Sequence, residues 1–338
     1  MKKRNLVYIG NHLRSSDKNP TYSLRLIDRL RQEGYKVWAS SSKNNKFIRF
    51  LDMWATVLKR SRKADYVLID TYSTLNFYFA VIIGWWARRL GLSYIPVMHG
   101  GNLPKRLQNN PKTVARYCQG AKLVVCPSAY LAEQFRAAGI ENVKVIPNAI
   151  DISAYKSSAA NRQTARIVWL RAFLPLYNPQ MAVKAFAELV KEFPQAELIM
   201  AGPGDSSTRN SCKSLAEELG VEVTFYDRID QQQWRALGTE AGIFLNTSTA
   251  DNQPLSVLEA QAMGMAVVST EVGGMPYMIN DGEDGFLVPS NDSQAMAAAI
   301  KKILASDALG QRLRDKAIAK AATHDWSIIV AAWKSVLN

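Results

Sequence analysis

The sequence is poor in the residues that most often hold metal ions or form disulfide bonds. It has three cysteines and three histidines among 338 residues, and no CxxC pair. The cysteines are Cys118, Cys126 and Cys212, and the histidines are His12, His99 and His324. An odd number of widely spaced cysteines predicts neither a disulfide framework nor a zinc site and is typical of a reducing compartment. Because no DxD triplet occurs and the histidines are scattered, the sequence also predicts no metal ion.

Long apolar runs are missing as well. After the basic start of the chain, only Leu6–Ile9 are continuously apolar, fewer than the ~7 to 15 residues of a signal-peptide core. The most apolar later stretch, Leu75–Ala87, has 13 residues, short of the ~20 that cross a bilayer as a helix. We therefore expect a cytoplasmic protein, either free in solution or bound peripherally to the inner face of the cell membrane.

Acidic residues are scarce in the first half of the chain. The whole sequence has 42 Lys and Arg against 29 Asp and Glu, a net charge of +13. Residues 1–150 contain 25 basic and 8 acidic side chains, a net charge of +17, whereas residues 151–338 contain 17 and 21, a net charge of −4. The basic half is expected to contact an anionic partner, which can be a nucleic acid, an anionic membrane surface or a phosphorylated substrate.

Short apolar runs rich in β-branched and aromatic residues alternate with longer segments of helical periodicity. This alternation is typical of βαβ units and a parallel sheet. It occurs twice, before and after a polar stretch without periodicity, residues 149–165 (AIDISAYKSSAANRQTA), that predicts a linker. The sequence therefore predicts an α/β fold of two tandem Rossmann-like doubly wound domains, residues 1–152 and 165–322, with a helix at 325–338 that packs back on the first. Ligands of such sheets bind at the carboxyl ends of the strands, so the active site is expected in the cleft between the domains.

The most informative stretch is Asn246–Pro276, which predicts a strand followed by a helix. Asn252 suits the helix cap and Pro254 the first helical position. The backbone amides of Leu255 and Ser256 would then lack partners at the helix N-terminus. Such a terminus binds phosphate.

Two acidic side chains accompany this helix, which Gly264 is expected to end. Glu259 lies one turn in, where a carboxylate can accept two hydrogen bonds from a ribose diol. Asp251 stands eight positions earlier. The alternative is that Asp251 and Asn252 only cap the helix and that Glu259 is a solvated side chain. These residues alone leave both interpretations open.

The block DNQPLSVLEAQAMGMAVVST, followed by VGGMP and NDGEDGFLV, resembles the donor-site signature of glycosyltransferase family 4. Further similarity is carried by GNH, HGGNLPKR, CPSAYLAEQF, VIPNAID, WLRAFLPLYNP and MAGPGD, so the resemblance covers nearly the whole chain. Members of this family, as found in bacteria, are retaining enzymes with two Rossmann-like domains, the GT-B fold. They typically carry two acidic residues eight apart before an EAxAxGxPVV run. Asp251 and Glu259 match these positions, although the first is usually Glu, and Tyr277 stands where many members have Glu.

The resemblance implies a donor site in the second domain. Arg171 matches the Arg that, with a Lys, clasps the donor pyrophosphate, and Tyr177 occupies the position of that Lys. A phenol donates a hydrogen bond but carries no positive charge, so Lys18 or Arg14 of the first domain is expected to replace the missing cation. The residues implied in donor binding are Gly10, Asn11, Arg171, Tyr177, Gly202, Asn252, Pro254, Leu255, Ser256 and Glu259. Those implied in catalysis are His99, Asp251 and Arg171.

His99 ends a predicted strand and is followed by two glycines that allow a ligand to approach the backbone closely. A lone His in an apolar context is more often a buried structural residue, but its position at the carboxyl end of a strand favours a function. By resemblance, His99 lines the transferred sugar and stabilises positive charge at the anomeric carbon. Gly100, Gly101 and Asn102 are implied on the acceptor side.

The resemblance implies a metal-independent hexosyltransferase that moves a sugar, with retention, from a nucleotide-diphosphate sugar to a glycan or lipid-linked acceptor in envelope polysaccharide or glycolipid synthesis. No cofactor is expected besides this donor substrate, and no nucleic acid. Two alternatives remain open. One is a sugar-nucleotide epimerase of the same architecture, which would need no acceptor site. The other is a basic nucleic-acid-binding protein, although no recognition motif is present.

One basic segment of the first half, NNKFIRFLDMWATVLKRSRK, has helical periodicity. Its apolar stripe contains Phe47, Phe50, Leu51, Trp54 and Leu58. The cations around the stripe are Lys43, Lys46, Arg49, Lys59, Arg60, Arg62 and Lys63. Aromatic residues beside clustered cations are typical of a helix that lies on anionic lipid. The predicted membrane contacts are Phe47, Phe50, Trp54, Lys59 and Arg60. A buried stripe that covers the first sheet, with its charges solvated, is the equal alternative.

Overall fold

The computed structural model describes residues 3–11, 21–155 and 165–338, and the chain divides into two compact units. The first unit consists of Met1–Ala149 and Trp326–Asn338, and the second of Ile150–Asp325. Each unit contains a parallel six-stranded sheet with helices packed against it. The predicted fold class, two Rossmann-like doubly wound domains, is therefore confirmed.

The first unit is built around strands β1 to β6. Its strands are β1 (Asn5–Ile9), β2 (Lys36–Ser40), β3 (Tyr66–Thr71), β4 (Ser93–Met98), β5 (Val124–Cys126) and β6 (Val143–Val145). Its helices are α1 (Tyr22–Gln32), α2 (Lys46–Arg60), α3 (Asn76–Arg89), α4 (Leu103–Asn109), α5 (Pro111–Gln119), α6 (Ala129–Ala137) and, from the far end of the chain, α14 (Trp326–Leu337). The strand order is β2-β1-β3-β4-β5-β6. The order reverses between β1 and β3, so these two strands flank the topological switch point.

The second unit repeats the architecture with strands β7 to β12. Its strands are β7 (Arg166–Leu170), β8 (Glu197–Ala201), β9 (Val223–Tyr226), β10 (Ile243–Asn246), β11 (Ala266–Thr270) and β12 (Phe286–Val288). Its α-helices are α7 (Pro179–Leu189), α8 (Ser206–Glu218), α9 (Gln231–Glu240), α10 (Leu255–Ala262), α11 (Met275–Met278), α12 (Ser293–Leu304) and α13 (Asp307–Ala322). The strand order is β12-β11-β10-β7-β8-β9, and the switch point lies between β7 and β10.

Helix α14 completes the core of the first unit. Trp326 and Trp333 are buried in the same cluster as Leu6 and Tyr8 of β1. The indole of Trp326 stacks on Tyr22 of α1, with 5.4 Å between the ring centroids. An aromatic pair of this kind stabilises the fold by about 0.5–1.5 kcal/mol beyond the contribution of the surface area that it buries. The C-terminal helix is thus an integral part of the first sheet's packing.

The predicted linker differs from the structure at its start. Ile150 and Tyr155 are buried in a cluster of the second unit, and a short 3-10 helix covers Ile152–Ala154. Residues 156–164 of the predicted linker lie outside the described residues. Its small and polar residues predicted an irregular segment. They did not predict that two apolar side chains of this segment are buried in the second unit.

Helix α2 divides the stripe of predicted membrane contacts. Phe50 and Trp54 are half-buried against α3, where their rings lie 5.3 Å from Phe79 and 5.8 Å from Trp86. Phe47 is 69% exposed. Phe50 and Trp54 therefore pack in the core, as the alternative of a buried stripe predicts, whereas Phe47 lies on the surface and its lipid contact stays a prediction.

The cations of α2 are divided in the same way. Lys59 is exposed, and the guanidinium of Arg60 lies 4.8 Å from the ring centroid of Trp38. Arg49 is buried, and its guanidinium donates to Asn11 Oδ1 at 3.0 Å and to two backbone carbonyls. The expectation that Arg49 is a solvated charge is therefore wrong, because its hydrogen bonds hold the loop before α2 and Asn11, the second residue after β1. Among the described residues, no helix combines the length and hydropathy that a membrane span needs.

The packing of α2 against α3 generates a stability prediction. We expect Trp54→Ala to lower the free energy of unfolding by about 2 kcal/mol, less than the ~3 to 5 kcal/mol lost with a fully buried aromatic ring. Phe47→Ala, on the same helix but exposed, should change it by less than about 0.5 kcal/mol. Urea denaturation of both variants tests the contrast. Equal, small losses would place Trp54 outside the core.

Candidate active site

An ion pair lies at the switch point of the second unit. Arg171 directly follows β7, and Asp251 lies in the loop after β10. The Arg171 guanidinium pairs with Asp251 Oδ2, and both side chains are largely buried. The same oxygen accepts a hydrogen bond from Ser248 Oγ at 3.1 Å, and Oδ1 accepts one from the backbone N–H of Asn252 at 3.0 Å. The carboxylate of Asp251 is therefore fixed by three donors.

Two glycines hold the backbone on either side of this pair. Gly202 has φ +148°, and a Cβ there would lie 1.9 Å from the carbonyl oxygen of Arg171. Gly273 has φ +54°, and a Cβ there would lie 2.1 Å from the carbonyl oxygen of Asp251. No side chain fits at either distance, so the loops after β8 and β11 can press directly on the backbone of the two charged residues. The motifs MAGPGD and VGGMP thus position the ion pair.

Tyr177, at the position of the missing Lys, supports Arg171. The guanidinium carbon lies 4.3 Å from the ring centroid of Tyr177, a distance at which an aromatic face attracts a cation. Arg171 Nε is buried and makes no hydrogen bond with any residue that the structure describes. The ring therefore orients a guanidinium that still has a donor to offer. Lys18 and Arg14, expected to replace the Lys, lie outside the described residues.

Helix α10 begins at Leu255, where the predicted helix begins, but its cap differs from the prediction. Pro254 is the flanking cap residue, with φ −69° and ψ 127°, and makes no side-chain cap hydrogen bond. The expected cap role of Asn252 is wrong, since the helix starts three residues further on. The N–H groups of Leu255 and Ser256 open the helix and have no acceptor within it. Ser256 Oγ is also buried without a hydrogen-bond partner in the described part of the chain. An anion at this terminus would meet three donors and the positive end of the helix dipole.

Glu259 is a buried carboxylate, and the alternative of a solvated side chain is wrong. It is 8% exposed. Its Oε1 accepts a hydrogen bond from the hydroxyl of Tyr155 at 2.7 Å, and Oε2 accepts one from the indole of Trp234 at 2.9 Å. The predicted contact of this carboxylate with a ribose stays a prediction.

Sequence reasoning missed Tyr155 and Trp234. Tyr155 lies in the predicted linker, 104 positions before Glu259, and Trp234 lies in α9. The available signal was weak, since a single Tyr in a polar stretch and a Trp in an amphipathic helix are common in any core. Only the fold shows that both polar tips converge on one carboxylate.

The predicted residues of the first unit surround its own switch point. Gly10 follows β1, and its backbone makes two hydrogen bonds with the end of β2 and the residue after it. Gly10 N–H donates to the Ser40 carbonyl at 2.8 Å, and Ser41 N–H donates to the Gly10 carbonyl at 2.9 Å. Asn11 accepts its hydrogen bond from Arg49. The turn of Gly100, Gly101 and Asn102 leads into α4. Among the hydrogen bonds of the described residues, none joins these groups to His99.

His99 forms a dyad with a buried aspartate. Its Nε2 lies 2.8 Å from Asp70 Oδ1. The imidazole stacks on Tyr72, with 5.0 Å between the ring centroids and 22° between the planes, and Tyr22 meets its edge at 6.3 Å. The ring is therefore held by a carboxylate and two aromatic neighbours while staying only partly buried.

Asp70 is held in place by two further hydrogen bonds. Its Oδ1 also accepts from the hydroxyl of Tyr8 at 2.8 Å, and Oδ2 accepts from Ser23 Oγ at 2.6 Å. Burial raises the pKa of Asp70, but the attraction of His99 and the hydrogen bonds from His99, Ser23 and Tyr8 outweigh it and hold the pKa below its ordinary value of 3.8. Asp70 is thus ionised at neutral pH. Its signal in the sequence was an acid at the end of a buried strand.

Two family models match the chain. The model for glycosyl transferases group 1 matches residues 153–322, and the model for glycosyltransferase family 4 matches residues 15–154. D-inositol 3-phosphate glycosyltransferase of Corynebacterium glutamicum is 29% identical over 217 residues, 59% of this chain and 52% of the relative. Phosphatidyl-myo-inositol mannosyltransferase of Mycobacterium tuberculosis is 26% identical over 208 residues, 59% and 54% of the two chains. The chain spans about half the length of these curated relatives.

Solved structures share the fold over nearly the whole chain. HepE of Anabaena, in complex with UDP and glucose, has a TM-score of 0.79 at 19% identity and covers 99% of each chain. Sucrose-phosphate synthase of Thermosynechococcus elongatus has a TM-score of 0.83 at 17% identity and covers 99% of this chain and 98% of that one. The family models and this shared fold establish that the chain belongs to the glycosyltransferases of group 1 and family 4, with the GT-B fold.

Proposed function

We propose that the chain transfers a hexose from a nucleotide-diphosphate sugar to an acceptor, with retention of configuration at the anomeric carbon and without a metal ion or other cofactor. The observation that carries this proposal is the Arg171–Asp251 ion pair beside the N-terminus of α10, at the switch point where doubly wound sheets bind ligands. The site combines a fixed guanidinium with unpartnered backbone amides. Both are donors suited to a diphosphate leaving group.

In this proposal Arg171 and α10 bind the donor diphosphate together. The guanidinium has five N–H donors. One is taken by Asp251, Tyr177 fixes the plane of the group, and Nε is left for a phosphate oxygen. The amides of Leu255 and Ser256 take the other phosphate. Asp251, expected to be catalytic, then acts by holding Arg171 in position.

The nucleoside end of the donor is assigned to Glu259. A carboxylate already oriented by Tyr155 and Trp234 loses little conformational freedom when it accepts a ribose hydroxyl. Support for uracil as the base comes from HepE, which was solved with UDP-glucose. UDP-hexoses are therefore the first donors to test.

The transfer proposed here is a same-face displacement. The bond from the anomeric carbon to the diphosphate oxygen breaks, the bond from that carbon to the acceptor oxygen forms, and the departing phosphate oxygen takes the acceptor's proton. Positive charge develops at the anomeric carbon. The Asp70–His99 dyad supplies an oriented group to stabilise it, and donors aimed at the leaving diphosphate stabilise the opposite charge.

The acceptor is proposed to be an anionic glycan or lipid-linked molecule of envelope polysaccharide or glycolipid synthesis. The similar curated enzymes are named for inositol 3-phosphate and phosphatidylinositol as acceptors. A phosphorylated acceptor of this kind suits residues 1–150, which carry 25 basic and 8 acidic side chains. A location at the inner face of the cell membrane follows if the acceptor is a lipid.

The donor site predicts the effect of removing its cation. Arg171→Ala should lower kcat/KM by about 10²- to 10³-fold, because one preorganised charge contact to the leaving group is lost. Arg166→Ala is the matched control. It lies at the opposite end of β7 and pairs with Glu197 and Glu240, so its rate should stay within about twofold of wild type. Equal rates for both variants at subsaturating donor would contradict the donor-site assignment.

The proposed reaction predicts what is released and when. With UDP-glucose in buffer containing EDTA, UDP should accumulate mainly when an acceptor is added, since the leaving group departs as the acceptor attacks. Chromatography of the nucleotides measures this, and glucose should keep its configuration in unreacted donor. Epimerised donor without acceptor would indicate the epimerase. Activity lost on chelation and restored by Mg²⁺ would show that a metal neutralises the diphosphate.

The dyad predicts a pH-dependent stability term and a kinetic effect. Asp70→Asn should lower kcat about 10- to 100-fold with little change in donor KM, since a misplaced imidazole affects the transition state more than binding. It should also lower the free energy of unfolding at pH 7 by about 3 kcal/mol.

Stability measured at several pH values separates the contribution of the Asp70 charge from that of its packing. Because the folded-state pKa of Asp70 lies below 3.8, its stabilisation is complete above that pH and is lost as the pH falls through the folded-state value. The difference between wild type and Asp70→Asn should therefore shrink below about pH 4 in urea denaturation. A difference that stays constant with pH would mean that the carboxylate is not what stabilises the site.

A further inference from the structure

The first unit contains a cavity of about 460 Å³ between α3 and α5. This volume falls within the ~300–1,000 Å³ of small-molecule sites. Its wall on α3 is apolar and includes Val81, Ile82, Trp85 and Trp86. None of the residues used by the proposed glycosyl transfer lines it.

The cavity is built by a close approach of aromatic rings. Tyr94 and Tyr117 stack with 5.6 Å between their ring centroids and line the cavity. A Cβ on Gly84 of α3 would lie 2.8 Å from the ring of Tyr117, so only glycine lets α3 pack on this pair. The hydroxyl of Tyr94 donates to the backbone carbonyl of Tyr117. The hydroxyl of Tyr117 lies 3.0 Å from Thr71 Oγ1, so both hydroxyls are hydrogen-bonded and the rings are what the tyrosines offer the cavity.

Three cations belong to the same cavity. Arg88 comes from the last turn of α3, and Lys112 and Arg116 come from α5. All three are exposed. In the part of the chain that the structure describes, none of them forms an ion pair. An apolar cavity bordered by three uncompensated cations matches a molecule with a hydrocarbon part and an anionic head.

The outer face of α3 is apolar beside this cavity. Leu75, just before the helix, and Tyr78, Ile82 and Trp85 recur at helical spacing, and each is at least 40% exposed. Ile82 and Trp85 belong both to this stripe and to the cavity wall. Arg89 covers one face of Trp85, with its guanidinium carbon 4.9 Å from the ring. Tyr and Trp flanked by Arg are typical of surfaces at the membrane–water interface.

We propose that this cavity binds one acyl chain of an anionic membrane phospholipid, with the lipid phosphate held by Arg88, Lys112 and Arg116. The stripe of α3 then faces the bilayer. The charge complementarity at the cavity identifies the head group, and the apolar wall identifies the chain. This site is independent of the donor reaction, so it can fail while the proposed transfer stands.

Thr113 offers a test that changes no charge. It lies on the exposed side of α5 and lines the cavity, so Thr113→Trp should fill it. Gln119→Trp places the same ring on the same helix outside the cavity and is the control. Calorimetric titration with dihexanoyl phosphatidylglycerol, below its micelle concentration, should show one site on wild type and Gln119→Trp. Thr113→Trp should bind at least tenfold more weakly.

The head group and the chain are tested separately. Glycerol 3-phosphate should bind at least tenfold more weakly than the short-chain lipid. A triple variant should also weaken lipid binding at least tenfold; it combines Arg88→Gln, Lys112→Gln and Arg116→Gln. It tests the site even if Thr113→Trp does not fold. A control triple variant removes the same charge elsewhere in the unit, by Lys59→Gln, Arg62→Gln and Lys63→Gln. Its Kd for this soluble lipid should stay within about threefold of the wild-type value.

Vesicles of phosphatidylglycerol and phosphatidylcholine complete the test. Wild type and Gln119→Trp should sediment with them at low salt more than Thr113→Trp does. Equal sedimentation of both Trp variants would overturn the proposal and indicate adsorption by charge alone. Equal affinity for glycerol 3-phosphate and the short-chain lipid would overturn it in favour of a free phosphate site. Equal losses of lipid affinity in the two triple variants would also overturn the proposal.

Discussion

The second unit depends on a charge pair that water barely reaches. Removing a guanidinium and a carboxylate from water costs several kcal/mol per ion, and their attraction offsets this cost only when the geometry is good and the remaining polar atoms are satisfied. Ser248, the Asn252 amide and the ring of Tyr177 supply most of that setting, and Arg171 Nε is left without a partner among the described residues. The pair in turn links the ends of β7 and β10. Two neighbouring strands therefore present one preorganised group instead of two independent side chains.

The two units use their charges in different ways. The second unit pairs many of its cations, as in Arg166 with Glu197 and Lys320 with Asp284. The first 150 residues have 25 basic side chains and 8 acidic ones, so this stretch does not contain an acidic partner for each of its cations. Such a surface attracts anions by its summed field, and salt screens that attraction over about 10 Å. The cations beside the cavity of α3 and α5 are one local concentration of this general excess.

The sheet elements were predictable because parallel strands buried on both faces must be nearly continuous apolar runs. The apolar run at Ala266–Thr270, for example, predicts a strand with the bounds that β11 has. Helices were less predictable where their sequences are polar. Helix α8 starts at Ser206, where Asp205 caps it, although its first turns read SSTRNS. The sequence pattern predicts a helix there only over Lys213–Leu219.

The site was predictable to the extent that its chemistry is local. Arg171, Asp251 and Glu259 stand in short motifs next to strand ends or a helix start, and the resemblance of those motifs to glycosyltransferase family 4 pointed to these residues. Tyr155 and Asp70 could not be found this way, because their roles arise from partners 104 and 29 positions away. Hydrogen-bond partners at such separations depend on the register of whole sheets. A single sequence does not encode that register in any short pattern.

The first unit is discontinuous in sequence, and this imposes an order on folding. Its sheet core includes Trp333 of α14, and the hydroxyl of Tyr35 bonds to Asn338 across 303 positions. The second unit is one uninterrupted segment, Ile150–Asp325. During synthesis the usual N-terminal-first order is therefore reversed. The later unit can close while the earlier one still exposes the apolar groove that α14 fills, and a nascent chain in that state is a natural client for chaperones.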